Sequence, residues 1–133
     1  MIAADSGVLI DLLFGGPRAE LSAGAMSDAA QVGPLALSEV AMAEICAHGD
    51  SEQVRKTLQS LGFVFVPTNE TAAIRAGEMS KRYRKNGGSR SRIIADFLIG
   101  AHALMQCDAL ITYDTGFHRD YFKGLKVIVP GEQ

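Results

Sequence analysis

The 133-residue chain has few cysteines and no long apolar segment. Its two cysteines, Cys46 and Cys107, lie in apolar surroundings and form no CxxC motif. Because isolated cysteines are typical of the reducing cytoplasm, we expect two buried thiols and neither a disulfide nor a zinc site. The first apolar stretch is interrupted by Asp5 and Asp11, well short of the roughly 20 residues that cross a membrane, and no basic region precedes it. The sequence therefore predicts neither a signal peptide nor a membrane span.

Charged residues are also scarce. They make up 21% of the chain, whereas hydrophobic residues make up 47%. This balance is sufficient for a buried core and excludes a disordered protein. The length is that of one domain, which we expect to span residues 1–133.

The basic residues are unevenly distributed. The net charge of −2 does not indicate a nucleic-acid partner, but residues 75–92 contain seven of the 13 basic side chains and one acid, Glu78. A local basic strip suits a phosphate backbone, although a solvated helix face followed by a loop would look the same. Our candidates for phosphate contacts in this strip are Arg82, Arg84, Lys85, Arg90 and Arg92.

Short apolar segments alternate with helical patterns along the chain. The predicted strands are residues 1–4, 32–36, 62–67, 109–113 and 126–129. The predicted helices are residues 6–14, 18–30, 38–48, 50–61, 68–85 and 92–106, with a short helical turn at 116–122. Strands separated by helices imply an α/β fold of three layers (α/β/α), in which helices cover both faces of a central, mainly parallel sheet.

Four acids stand in apolar surroundings, which is unfavourable unless something compensates each charge. They are Asp5, Glu44, Asp96 and Asp114. Two carboxylates about 4 Å apart repel each other by roughly 4 kcal/mol at a surface-like dielectric. If the fold brings all four together, a divalent cation would compensate them, and oxygen ligands without His or Cys favour Mg²⁺ or Mn²⁺.

Two of these acids directly follow predicted strands. The carboxyl ends of parallel strands meet at one edge of a sheet, so Asp5 and Asp114 are expected at the same edge. For Asp5 alone, an N-cap on the following helix is the structural alternative.

The helix after residue 38 contains two glutamates, of which we favour Glu44 as the functional one. With Ser38 as the N-cap, Glu39 lies at the first helical position, where the helix dipole and solvent account for it. Glu44 lies more than one turn further, on a face of small and apolar residues, where no structural reason requires a carboxylate.

In the helix predicted for residues 92–106, the only polar side chains from Ile93 to Met105 are Asp96 and His102. Asp96 is not on a hydrophilic stripe, and Gly100 and Ala103 would let this helix approach the sheet closely. A salt bridge to Arg92 is the structural alternative for Asp96. We interpret His102 as a core histidine with a hydrogen-bond partner, not as a ligand.

Four segments give the chain a resemblance to a known family. They are Asp5-Ser6 after the first strand, Glu44 within LSEVAMAEI, Asp96 within ADFLIGAHA, and Asp114 at the end of LITYD. In order, spacing and flanking residues, the chain resembles PIN-domain ribonucleases, in particular the VapC-type toxins of prokaryotic toxin–antitoxin pairs. Ser6 departs mildly from the family, in which Thr or Asn commonly follows the first acid, and the segment before Asp96 is more basic than the family requires.

The resemblance implies a fold, an activity and partners. It implies an α/β/α PIN-like domain that cuts RNA with Mg²⁺ or Mn²⁺, forms a homodimer and is silenced by a small VapB-like antitoxin. The carboxylates of Asp5, Glu44, Asp96 and Asp114 would be both the metal ligands and the catalytic residues, with Ser6 and Thr112 as polar helpers. Water activated by the metal would attack the phosphodiester, because no pair of histidines is placed for a metal-free route.

Other functions remain open at this point. An aspartyl-phosphate enzyme or receiver domain also collects acids at strand ends, but a dehalogenase-type phosphatase would need a second acid where Gly7 stands. A receiver would need an acidic pair near the first strand and a lysine after the last one, and here Asp5 stands alone and Lys126 precedes the final apolar run. A PIN nuclease of RNA maturation without an antitoxin, and a non-catalytic PIN-like binding module, are the nearer alternatives.

Overall fold

The structure, a computed structural model, describes residues 1–89 and 92–132. Its strands are β1 (Ile2–Ala4), β2 (Leu35–Leu37), β3 (Phe63–Phe65), β4 (Ala109–Ile111) and β5 (Val127–Ile128). They form one sheet in the order β3-β2-β1-β4-β5, and every neighbouring pair is parallel. The α/β fold expected from the sequence is therefore confirmed.

Seven helices connect or follow the strands in the described part of the chain. They are α1 (Ser6–Phe14), α2 (Ala19–Val32), α3 (Glu39–Cys46), α4 (Ser51–Ser60), α5 (Glu70–Lys85), α6 (Ile94–Gln106) and α7 (Thr115–Tyr121). Three helices begin at side-chain caps, including the Ser38 cap expected from the sequence. The Ser38 hydroxyl, the Asp50 carboxylate and the Asn69 amide oxygen each accept hydrogen bonds from backbone N–H groups in the next turn.

Alternate residues of the central strands pack against different helices. Ile2, Ala4 and Ile111 belong to a core shared with α1, α2, α3 and α4. Ala3 and Leu110 point the other way and pack against α6. This two-residue alternation places helices on both faces, and it explains why strands buried on both sides are continuously apolar.

Helix α6 lies close to its neighbours because of two small residues. Ala103 packs with Ala3 and Leu110 of the sheet, as its size suggested. Gly100 serves a different neighbour, because a Cβ atom there would lie 2.4 Å from the ring of Phe122, in the segment after α7. The prediction that Gly100 makes room for the sheet was therefore wrong, and it makes room for Phe122.

The start of α6 also differs from the sequence prediction. The helix begins at Ile94, not at residue 92, and Ser91, which could cap a helix that begins at residue 92, lies outside the described residues. The backbone N–H of Ile93 donates to Asp96 Oδ2 at 3.0 Å, so the carboxylate satisfies the backbone at the helix start. Arg92 therefore precedes the helix, and its side chain contacts Asp114 and Phe117.

The cysteines and the membrane prediction can also be compared with the structure. Cys46 and Cys107 are free and half-buried, so the thiols are less enclosed than expected. Within the described residues, no helix combines the length and the apolar character needed to cross a bilayer.

Candidate active site at the carboxyl ends of two central strands

Asp5 and Asp114 follow the neighbouring strands β1 and β4. Ala4 pairs with Ile111 in the sheet, and the N–H of Asp5 donates to the carbonyl of Ile111 at 2.9 Å. The buried hydroxyl of Thr112 links the two acids, because it donates to Asp5 Oδ2 at 2.7 Å and accepts from the N–H of Asp114 at 3.0 Å. The Asp5 carboxylate makes no capping hydrogen bond to α1, which removes the structural alternative considered for it.

Glu44 reaches the same place from α3. The buried Ser6 hydroxyl donates to Glu44 Oε1 at 2.9 Å and lies 3.5 Å from Asp5 Oδ1. Burial raises the pKa of Glu44, the hydrogen bond from Ser6 opposes this, and the negative charges of Asp5 and Asp96 raise the pKa further. Acids from three separate elements thus act on one another in the folded chain.

Glu39 has a different environment although it lies on the same helix. Its carboxylate Oε2 accepts a hydrogen bond of 2.6 Å from the N–H of Thr68, in the segment after β3. Partial burial opposes ionisation, but the hydrogen bonding by Thr68 outweighs it and lowers the pKa of Glu39. Glu39 therefore ties α3 to the segment after β3, a role that the helix dipole alone did not suggest.

Asp114 is engaged by a residue that the sequence analysis assigned elsewhere. Arg92 Nη2 donates to Asp114 Oδ1 at 3.0 Å, and Nη1 donates to Oδ2, so the contact is bidentate. The guanidinium carbon lies 4.2 Å from the centre of the Phe117 ring. The hydrogen bond to Asp114 raises the pKa of Arg92 despite partial burial. Arg92 is consequently part of the acidic site and not of an open basic strip, and it pairs with Asp114 instead of Asp96.

His118 is a residue of this site that sequence reasoning missed. It lies in α7, is 2% exposed, and its Nε2 is 3.9 Å from Asp5 Oδ2, too far for a hydrogen bond. Its Nδ1 is buried and makes no hydrogen bond within the described residues. Burial lowers the pKa of His118, and the charges of Asp5 and Asp114 oppose this shift. Its position one helical turn after Asp114 was the signal that could have identified it.

The remaining predicted residues are divided between the surface and the core. Arg82, Arg84 and Lys85 are exposed in the last turn of α5, and Arg90 lies outside the described residues. His102 is 1% exposed, and its Nε2 is 2.7 Å from the carbonyl oxygen of Val66. Burial lowers the pKa of His102, so the ring is a neutral core residue, as the sequence indicated.

The carboxylates form a donor set whose chemistry fits a divalent cation. Asp5, Glu44, Asp96 and Asp114 supply oxygen ligands only, and their mutual repulsion is the condition that a bound cation would relieve. Across residues 1–89 and 92–132, however, no three His, Cys, Asp or Glu side chains are already close enough to enclose a metal ion. In the described arrangement, the positive charge next to Asp114 is the guanidinium of Arg92.

Comparisons with known proteins agree with this architecture. The family described as PIN domain matches residues 2–123 of the chain. Ribonuclease VapC10 of Mycobacterium tuberculosis is 36% identical over an alignment of 137 residues, which covers 100% of this chain and 98% of that protein.

Two solved structures are similar in fold. One is VapBC2 from Rickettsia felis bound to a DNA fragment from their promoter, with a TM-score of 0.75, 18% identity, and coverage of 97% of this chain and 98% of that one. The other is VapBC-1 from nontypeable Haemophilus influenzae, with a TM-score of 0.72, 19% identity, and coverage of 99% and 100%. From the family match and the full-length relative together, this chain belongs to the PIN-domain family.

Proposed function

We propose that this protein is a metal-dependent endoribonuclease and the toxin of a toxin–antitoxin pair. The observation that carries the proposal is the hydrogen-bonded grouping of acids at the strand ends, in which Ser6 contacts both Glu44 and Asp5, and Thr112 links Asp5 to Asp114. Burial raises the pKa of Glu44, and the charges of Asp5 and Asp96 add to this shift. The full-length relative that is a ribonuclease by name supports the reaction type.

Each residue of the site has a distinct part in this proposal. Asp5, Glu44, Asp96 and Asp114 would hold Mg²⁺ or Mn²⁺, which supplies a bound water of lowered pKa and neutralises charge on the phosphate. Ser6 orients Glu44, and Thr112 orients Asp5 while fixing the backbone of Asp114. Attack by water, and not by the ribose 2′-hydroxyl, would leave 5′-phosphate and 3′-hydroxyl ends.

Basic residues at the end of α5 and in the segment after it would bind the RNA outside the cleaved bond. Arg82, Arg84 and Lys85 end α5 with exposed side chains, and Arg90 belongs to the same stretch of sequence. Cations at these positions would attract phosphates without reading base sequence. Arg92 would join them only when it leaves Asp114.

The toxin assignment adds two partners to the proposal, a VapB-like antitoxin and a second copy of the chain. It rests on the full-length relative named VapC10 and on the similarity in fold to chains of VapBC structures. Expression of the chain alone should arrest growth, and co-expression of the product of an adjacent short gene should restore it. Growth unaffected by the chain alone would favour a nuclease of RNA maturation.

The reaction is tested by end-sequencing. The purified protein is incubated with a mixed RNA pool, with and without Mg²⁺ or Mn²⁺, and the new ends are sequenced. We expect metal-dependent cuts with 5′-phosphates in the wild type and none in Asp96→Asn. Cuts that persist in chelator, or that end in cyclic phosphates, would contradict the mechanism. Binding without any cleavage would identify a non-catalytic module.

A further inference from the structure

A basic cavity lies beside α5, apart from the four acids. Its volume is about 470 Å³. It is lined by Arg75, Met79, Arg82, Asn86, Asp120, Tyr121 and Lys123. The three α5 members and the C-cap Asn86 follow one another at intervals of four, three and four residues, so they lie on one face of the helix. The opposite wall is the end of α7 and the segment that follows it.

The charges of this cavity are not compensated by the protein. Three cations and one acid line it, which leaves a surplus of two positive charges. Within residues 1–89 and 92–132, the ion pairs are formed by other side chains, and Arg75, Arg82 and Lys123 take part in none. All three are exposed. Such cations are available to an anionic ligand at little cost in broken contacts.

The cavity is connected to the active site through α7. Asp114 is the N-cap of α7, and Tyr121 is the last residue of this helix. Seven residues of helix rise about 10 Å, so the cavity wall at Tyr121 lies roughly that far from Asp114. The rings of Phe117 and Tyr121, with centroids 5.7 Å apart, form a continuous wall between Arg92 and the cavity.

We propose that this cavity binds a backbone phosphate of the RNA strand some nucleotides from the cleaved bond. The inference rests on the proposed function, since it assumes RNA as the substrate. An open site with exposed cations suits a strand that passes through it. The contact would not depend on the base sequence, because the cations would bind phosphate oxygens.

The proposal separates basic residues that the sequence had grouped together. Arg82 lines the cavity, whereas Arg84 and Lys85 belong to the same turn of α5 and do not line it. Arg75 and Lys123, which were not among the residues assigned to RNA, do line it. Arg55 and Lys56 of α4 are also exposed, do not line the cavity and are not among the residues assigned to RNA. A double substitution at this pair removes the same formal charge as one at Arg75 and Lys123.

The test compares the salt dependence of RNA binding for these two pairs. Binding of a fluorescent single-stranded RNA is measured in EDTA, which stops metal-dependent cleavage, for wild type, Arg75→Ala with Lys123→Ala, and Arg55→Ala with Lys56→Ala. Removing two phosphate contacts to a single strand should reduce the slope of log Kd against log salt by about 1.4. We expect this loss in the cavity pair and a wild-type slope in the control pair.

Equal losses in the two pairs, or no loss in the cavity pair, would overturn the proposal. So would displacement of the RNA from wild type by inorganic phosphate at matched ionic strength, which would show a site for the free ion. Lys123→Gln alone, expected to lose about half as much slope, serves if the double variant unfolds. Cleavage is assayed separately on the same preparations with Mn²⁺, so absence of activity would refute the proposed function without changing the binding result.

Discussion

Arg92 holds both carboxylate oxygens of Asp114, although the two residues are 22 positions apart in sequence. The guanidinium also lies over the Phe117 ring. The guanidinium of Arg92 therefore occupies the carboxylate oxygens with which Asp114 would bind a metal ion. Metal binding at Asp114 would require this contact to open.

Replacing Arg92 by alanine should strengthen Mn²⁺ binding, because Asp114 would lose its competing partner. The same change should lower the free energy of unfolding by about 1 kcal/mol, since the ion pair is partly exposed and the contact with Phe117 is also lost. Calorimetric titration with Mn²⁺ and thermal unfolding would measure the two effects. Arg92→Lys, which keeps the charge without the bidentate geometry, is the matched control. Weaker Mn²⁺ binding in Arg92→Ala would instead show that Arg92 holds Asp114 in its ligating position.

Removing one charge from the site should abolish cleavage and preserve the fold. Asp5→Asn and Asp96→Asn each keep a carbonyl oxygen that can accept the hydrogen bonds described above, from Thr112 and Ile93 respectively. Thermal midpoints without metal should stay equal or rise, because repulsion among the acids is relieved. Addition of Mn²⁺ should raise the midpoint of wild type and not that of Asp96→Asn. Cleavage by both variants would refute the metal-site assignment.

Substitution of the two glutamates of α3 should affect the cleavage rate differently, and it should change the unfolding temperature in opposite directions. Glu44→Gln should lose orders of magnitude in cleavage rate, and Glu39→Gln should stay active. The pKa of Glu44 is raised in the folded state, so its ionisation disfavours folding as the pH rises through that pKa. At neutral pH in chelator, Glu44→Gln should therefore unfold at a higher temperature than wild type.

The pKa of Glu39 is lowered from its ordinary value of 4.5 in the folded state. Its contribution to stability is therefore complete above that value and is lost as the pH falls through the lowered pKa. Glu39→Gln should consequently unfold at a lower temperature than wild type at neutral pH. The difference should shrink in acid. Shifts of the same sign for the two variants would contradict these environments.

Thr112→Val should reduce cleavage by roughly 10- to 100-fold, the usual effect of removing a group that orients a metal ligand. Valine matches the shape of threonine but cannot donate to Asp5 or accept from the N–H of Asp114. That N–H would be left without its partner, at a cost of about 1–3 kcal/mol in the free energy of unfolding. Thr112→Ser restores the hydroxyl and should restore most of the activity. If Thr112→Val cleaved at the wild-type rate, the hydroxyl would have no part in orienting the acids.

The strands could be predicted from the sequence, and so could the positions of Asp5 and Asp114. An acid that directly follows a short apolar strand of a parallel sheet lies at the edge where the carboxyl ends of the strands meet. Glu44 and Asp96 could also be identified from the sequence as candidate site residues, since each interrupts an apolar helical face. The partner of Arg92 was not predictable in this way. A long side chain just before a helix can turn either along the helix or across to another strand, and periodicity does not distinguish the two. The place of Lys123 in a cavity with α5 depends equally on tertiary packing.

Gly100 lies one helical turn after Asp96 on the same side of α6, and the ring of Phe122 fills the space that its side chain would occupy. Any larger residue at this position must push the helix or the ring aside, and Asp96 would move with the helix. Selection for activity would therefore also restrict residues that do not contact the four acids. A survey of tolerated substitutions should find position 100 as restricted as the carboxylates themselves, for reasons of volume and not of charge.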